Sequence, residues 1–273
     1  MNICSISYSD YLLGSSPLDD KGRLVDPEKK RKLEETVAAL QARWGTQAVG
    51  RRIPEQIPHL PTTIPALDEA LVIGGLPRGR ISEIIGVPTS GMATIALQII
   101  ASAQKQARTA IYIDPDHTFD PAYAAQWGLE LNRMVLVRPY NTEQALAILR
   151  DFILSGGISI LVFDTPFNLL RQPESAQILA TTLDRIIAPL GQTNCVLLFL
   201  SPLTSGKNSS LASYPAGAAL PHYATVRLFI QRESWIYKDR DISGYQAQIL
   251  VLKNKLGPAD KRISISLALN GEP

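Results

Sequence analysis

Residues 80–106 read as a short strand, a glycine-bounded loop and a helix, and that order confines the chain to few folds. The loop is Gly86-Val87-Pro88-Thr89-Ser90-Gly91-Met92-Ala93. Its two glycines keep the G-x-x-x-x-G spacing of a phosphate-binding loop. Such a loop continues with Lys and Ser/Thr: backbone N–H groups cradle the phosphates, the Lys reaches the terminal ones, and the hydroxyl holds Mg²⁺. Here Met92 carries no charge and Ala93 has no hydroxyl. Thr94 does not replace it, because one helical residue turns the side chain by about 100°. Pro88 removes one N–H donor. Gly-to-Gly spacing alone is common, so the context decides what this loop is.

That context is a strand–helix alternation. Strands are expected at 80–85, 109–114, 134–137, 158–164 and 195–200, and helices at 92–106, 142–154 and 177–190. The run Ile158-Ser159-Ile160-Leu161-Val162-Phe163-Asp164 is nearly all apolar and closes on an acid, as a strand buried on both faces does. The predicted fold class is therefore α/β, a mostly parallel central sheet flanked by helices. In such sheets ligands sit beyond the carboxyl ends of the strands. After residue 200 the character changes. Residues 204–221 are rich in Ser, Gly, Ala and Pro, and strands at 223–231, 234–237, 247–252 and 262–267 extend the sheet with antiparallel pairs.

Upstream, residues 1–25 read as a flexible arm and 26–50 as a helix plus a short strand. Residues 51–65 hold four prolines and read as a linker, leaving 66–273 as the core. The helix has Asp26 as N-cap, Pro27 at its first position and Gly45 as its stop. Leu33, Val37, Leu40 and Trp44 share one face, and that stripe needs a partner. The run Lys29-Lys30-Arg31-Lys32 reads as a solvated face near a helix start rather than a nucleic-acid patch.

Composition narrows the function classes. A chain of 273 residues buries a substantial core, and a net charge of +2 argues against bulk attraction to nucleic acid while leaving room for a local groove. The two cysteines, Cys4 and Cys195, suggest no disulfide framework and fit a reducing cytosol. His59, His117 and His222 lack metal-ligand spacing, so no metal site is expected. No apolar run reaches the roughly 20 residues that span a bilayer. The start lacks a signal peptide's regions, and the expected location is cytoplasmic.

Residues 67–86, Leu67-Asp68-Glu69-Ala70-Leu71-Val72-Ile73-Gly74-Gly75-Leu76-Pro77-Arg78-Gly79-Arg80-Ile81-Ser82-Glu83-Ile84-Ile85-Gly86, closely resemble the entry to the ATPase core of RecA recombinases. The likeness continues through Leu97-Gln98, Tyr112-Ile113-Asp114-Pro115-Asp116-His117, Asp120-Pro121, Glu143-Gln144-Ala145-Leu146 and the strand ending at Asp164. It closes on Tyr223-Ala224-Thr225-Val226-Arg227-Leu228 and Lys253-Asn254-Lys255. The resemblance implies a RecA-like P-loop core from roughly residue 33 to 271, without the family's C-terminal domain. It also implies that the helix at 26–50, with Ala48 and Val49 in its short strand, docks on a neighbouring subunit.

Family roles transfer position by position. Asp164 falls where an acid helps to position Mg²⁺, and Tyr123 where an aromatic stacks on adenine. Lys253 and Lys255 fall where a pair reaches a neighbour's nucleotide. The catalytic Glu falls on Asp116, whose carboxylate is withdrawn by roughly 1.5 Å, and displacement on that scale costs about a hundredfold in rate. The sensor Gln falls on Pro202, with Ser201 beside it. Two DNA-binding loops correspond to 165–177 and 204–221, where Arg171, Lys207, Asn208 and Tyr214 offer a weak footprint for single-stranded DNA.

From Met92, Ala93, Asp116 and Pro202 together, the expectation is a pseudo-ATPase. On this reading it has no working catalytic residues, only vestigial Asp116 and Asp164, no required cofactor and at most weak ATP binding at Gly86, Thr89, Ser90, Gly91, Met92 and Ala93. The chain is then similar to the ImuA family, RecA-like accessory factors of translesion synthesis with a polymerase-like partner. The expected role is a DNA repair and recombination accessory protein that binds such a partner or RecA, with self-association and single-stranded DNA as further contacts and no membrane. Two alternatives stand beside it. One is a divergent DNA-stimulated ATPase using Thr89, Ser90 or a neighbour's Lys. The other is a cell-division inhibitor of RecA-like fold.

Overall fold

The structure, a computed structural model, describes residues 27–45, 57–106, 108–203, 214–215, 218–238 and 240–268. The expected arm at 1–25, Ala48 and Val49, and Lys207 and Asn208 lie outside the described residues. The chain divides into two units, Met1–Glu55 and Gln56–Pro273.

The first unit contributes α1 (Pro27–Trp44), with Glu28 in its first turn and Arg43 in its last, each sign suited to the helix dipole. Gly45 follows at φ +84° and its N–H closes on the Gln41 carbonyl at 2.8 Å. Leu33, Leu40 and Trp44 are 62%, 40% and 61% exposed, and Val37 is half-buried. The stripe that needs a partner is therefore open to solvent.

The second unit begins with β1 (His59–Leu60), α2 (Pro65–Leu71) and β2 (Leu76–Pro77). Next come β3 (Arg80–Gly86), α3 (Met92–Lys105), β4 (Ala110–Ile113), α4 (Pro121–Gln126), β5 (Met134–Val137) and α5 (Thr142–Ser155). β6 (Ile160–Asp164), α6 (Pro173–Leu190), β7 (Val196–Pro202), α7 (Leu220–Tyr223), β8 (Val226–Lys238), β9 (Asp241–Asn254) and β10 (Arg262–Ala268) close the described chain. An eight-stranded sheet runs β10-β9-β8-β3-β7-β6-β4-β5, parallel from β8 to β5 and antiparallel at β9 and β10. The expected α/β class holds: a mostly parallel sheet, helices on its faces and antiparallel strands at its C-terminal end.

Alternation along the strands explains the layers. In β7, Val196, Leu198 and Leu200 enter the core shared with α3, while Leu197 and Phe199 enter the core shared with α5 and α6. Phe163 of β6 meets Phe199 there, ring centroids 5.3 Å apart. Each such side chain contributes about 1.5–3 kcal/mol by leaving water, so a register slip of one residue would forfeit both cores at once. α4 starts at Asp120, whose side chain accepts from the Ala122 and Tyr123 N–H groups. α5 is capped by Asn141, whose side chain accepts from the Gln144 N–H.

Two segments differ from expectation. The span 51–65 contains β1, which pairs antiparallel with β2, and Leu60 and Thr62 are fully buried. Its prolines mask this, because an edge strand of two residues tolerates flanking prolines that would break a longer one. The strands expected at 223–231 and 234–237 are one strand, β8, whose pairing with β9 shifts between Arg232 and Ser234.

Candidate functional site: the glycine loop and the strand ends around it

The loop between β3 and α3 keeps its shape because other strands crowd it. A Cβ on Gly86 would collide with the Ser90 hydroxyl and lie 2.8 Å from the Ile230 carbonyl of β8. Gly91 sits at φ +106°, and a Cβ there would come within 2.8 Å of both the Tyr245 hydroxyl and Leu267 Cδ1. Thr89, also at positive φ (+67°), is exposed at the tip. Ser90 is 1% exposed, and its hydroxyl, turned over Gly86, has no hydrogen-bond partner among the described atoms. A buried hydroxyl left alone costs about 1–3 kcal/mol. The loop, tightened by two glycines whose Cβ space is taken by Ser90, Ile230, Tyr245 and Leu267, forms a cradle at the start of the 14-residue α3, and a helix N-terminus there favours an anion.

The side chains after the cradle are those of the sequence. Met92 is half-buried against the α3 core, and Ala93 is exposed. Thr94 is 4% exposed and its hydroxyl lies 2.8 Å from the Tyr123 hydroxyl. Thr94 is thus engaged behind the loop. Tyr123 is half-buried, edge-on to Trp127 at 6.1 Å.

Sheet register brings distant positions beside Gly86. It pairs with Pro202 at the end of β7 and with Ile230 in β8. Pro202 has no N–H, and the next residue, Leu203, donates to the Gly86 carbonyl at 2.8 Å. Asp164 pairs with Leu200, so it borders the same edge. Its carboxylate accepts from the Tyr112 hydroxyl (2.9 Å) and the Thr118 hydroxyl (3.2 Å). Burial pushes the Asp164 carboxyl up to about 6, with the Asp114 and Asp116 charges adding to it and the two hydrogen bonds opposing it. Asp116 is exposed on the loop after β4. Asp114 is fully buried and accepts from the Thr118 and Phe119 N–H groups and from Arg138 at 3.3 Å.

Other named residues have internal partners. Lys253 donates to the Pro221 carbonyl at 2.6 Å, and Lys255 reaches the His222 carbonyl at 3.5 Å, both at the end of α7. Burial, ahead of the Lys255 and Arg227 charges, lowers the Lys253 ammonium below its usual range. Arg171 lies over the Phe167 ring at 4.0 Å. Tyr214 donates to Glu83 at 2.6 Å under the Arg227 guanidinium, and burial, then the Glu83 charge, raises its hydroxyl well above the ordinary tyrosine range.

Two charged features escaped the sequence reading. Glu83, fully buried, accepts from Ser201, Tyr214 and Arg227, each at 2.6 Å, which joins β3, β7, Tyr214 and β8 at one point. The signal was an acid inside the apolar string Ile81-Ser82-Glu83-Ile84-Ile85. The other is Arg232 of β8, whose guanidinium reaches the Thr89 carbonyl and hydroxyl, both at 3.4 Å. It stood in a polar break read as a gap between strands. Among the described residues no cluster of His, Cys, Asp and Glu is suited to hold a metal, and no helix is long and apolar enough to cross a membrane.

A mostly parallel sheet with a strand–glycine loop–helix unit at its centre and an acid-terminated strand one place removed from it defines the P-loop class of proteins. The RecA N-terminal domain family matches residues 31–271. Protein RecA of Chlorobium limicola is 32% identical over 93% of this chain and 78% of its own length. Protein RecA of Xylella fastidiosa is 34% identical over 91% of this chain and 77% of its own. The chain belongs to the RecA family. Among solved structures, the RadB recombinase superposes with a TM-score of 0.60 at 15% identity, covering 78% of this chain and 97% of that one, which establishes the shared fold.

These relatives correct one expectation. A chain with this much identity to proteins named RecA over nine-tenths of its length is not set apart as a non-enzymatic pseudo-ATPase by Met92, Ala93, Asp116 and Pro202. The physical reason is that a phosphate site is the work of the whole loop and its neighbours, which four single positions do not represent. The glycine frame of the loop is kept, and Arg232 borders it from a strand about 140 residues away in sequence, outside any short motif.

Proposed function

We propose that this chain acts in recombination and repair of DNA as a RecA-class protein that docks on a RecA subunit through α1. The observation that supports docking is the open stripe of Leu33, Val37, Leu40 and Trp44, three of them at least 40% exposed. A row of large apolar side chains at helical spacing is stabilised only when something covers it. A head-to-tail surface of this kind adds to one end of a filament without demanding symmetry.

Nucleotide is a weak ligand in this proposal. Gly86, Ser90 and Gly91 would hold the phosphates by backbone N–H groups and the orphaned hydroxyl. Without the Lys ammonium and with no hydroxyl at residue 93, charge neutralisation is poorer, and turnover is expected to be slow and stimulated by single-stranded DNA. DNA contacts belong to the segments 165–177 and 204–221. The Tyr214–Glu83 bond ties the second segment to the strand that carries the glycine loop.

The test is co-sedimentation with RecA filaments on single-stranded DNA. The wild-type chain is expected to co-sediment, and the Leu33→Ser/Trp44→Ser variant, altered on an exposed face, is expected to fold normally and lose binding at least tenfold. Equal recovery of both proteins would remove α1 from the interface. Hydrolysis of ATP with and without DNA, measured on the same preparation, checks turnover separately.

A further inference from the structure

The position of Arg232 follows from sheet order and a bulge. β8 lies beside β3 in parallel, with Ile230 level with Gly86. Two residues further, at about 3.3 Å per residue, Arg232 stands roughly 7 Å beyond the strand end, at the height where the loop projects. Val226, Leu228 and Ile230 face the α3 core, so alternation aims Arg232 at the same side, over the loop.

The pairing shift between Arg232 and Ser234 inserts one residue into β8. Alternation alone would send residues 232 and 235 to opposite faces; one inserted residue returns Trp235 to the face of Arg232. The guanidinium accordingly stacks on the Trp235 ring at 4.0 Å, and Trp235 meets Tyr245 edge-on at 6.0 Å. Tyr245 is the side chain whose hydroxyl closes on Gly91. An aromatic wall thus holds a cation beside the cradle. Its two contacts to Thr89, both 3.4 Å, are long for hydrogen bonds and leave the guanidinium ready for a stronger acceptor.

We propose that Arg232 supplies the phosphate-neutralising cation of this loop, in place of a lysine at residue 92, and that it binds the polyphosphate of a nucleotide arriving over Thr89. The inference rests on the nucleotide-binding part of the function proposed above. Ser90, buried with an orphaned hydroxyl in the same loop, is the independent mark that a polar ligand belongs there.

The experiment is calorimetric titration of the full chain with ATP and with inorganic tripolyphosphate at low salt. Arg232→Ala is expected to weaken both by roughly tenfold to a hundredfold, the range for a lost charge-assisted hydrogen bond. Arg232→Lys recovers most of the loss, and the ligand-free unfolding midpoint changes little because the side chain is partly exposed. In a Met92→Lys background the same Arg232→Ala change costs less, since the new ammonium takes over the role. Should the alanine variant fail to fold, Arg232→Gln keeps the stem over Trp235 and carries the same expectation. If wild type and variants bind equally, the inference is overturned and the nucleotide-binding reading stands. If wild type binds neither probe, both fall together.

Discussion

Replacing Asp164 by Asn should make the protein more stable at neutral pH and leave it nearly unchanged in acid. The carboxyl is held at about 6 in the folded chain, against an ordinary value of 3.8, chiefly by burial. Between those values the folded state holds a proton that the unfolded state has released, so stability falls as pH rises. The contribution is fully present below about pH 4 and lost above about pH 6. At 1.36 kcal/mol for each pH unit between the two values, the whole effect is about 3 kcal/mol. Asn cannot ionise, and it accepts from Tyr112 and Thr118 through its carbonyl as the neutral acid does. The stability difference between Asp164→Asn and wild type should therefore grow from near zero at pH 4 to about 2–3 kcal/mol at pH 7.5. Urea unfolding at a series of pH values measures it, with slopes checked for constancy. A difference that stays flat across that range would refute the assignment of the strain to the Asp164 charge. Direct titration of the carboxyl by carbon NMR places the midpoint independently.

Three further outcomes are expected. Arg227→Ala leaves the fully buried Glu83 carboxylate without its 2.6 Å cation partner and should cost about 3–5 kcal/mol in chemical unfolding; adding Glu83→Gln should restore part of it. Ser90→Ala removes an orphaned buried hydroxyl and should stabilise the ligand-free chain by about 1 kcal/mol in thermal unfolding while weakening ATP. Met92→Lys with Ala93→Thr should tighten ATP binding by at least roughly tenfold in calorimetry, since each restored charge-assisted contact is worth about 1.5–3 kcal/mol.

The sheet was legible because its signals are local. Ile158 to Asp164 could hardly be anything but a doubly buried strand, and Val196 to Leu200 divide their side chains between two cores by alternation alone. The order of the strands was not legible, since crossing connections leave no mark in composition. β1 was missed because two residues between prolines carry no periodicity, although Leu60 is as buried as any core side chain. β8 was split in two because a bulge places polar Gln231, Arg232 and Glu233 in succession, and a polar triplet inside an apolar alternation looks like a turn.

The site was legible only as far as it is continuous in sequence. The glycines of the loop announce themselves by spacing, yet what makes each one necessary is Ile230, Tyr245 and Leu267, from three strands that arrive more than 130 residues later. Charge follows the same rule. Inspecting residues 86–93 finds no cation, whereas the sheet order sets β8 against β3 and delivers Arg232 to Thr89. The buried Glu83 works in the opposite direction: it needs a cation, and β8 supplies Arg227 five residues before Arg232 on the same strand. One strand thus carries both the charge that neutralises the core of the sheet and the charge that faces the loop. Replacing Trp235 by Ala on that strand would leave the first in place and remove the ring on which the second stacks. ATP affinity should then fall with little loss in stability, which distinguishes a loop served by β8 from a loop that stands alone.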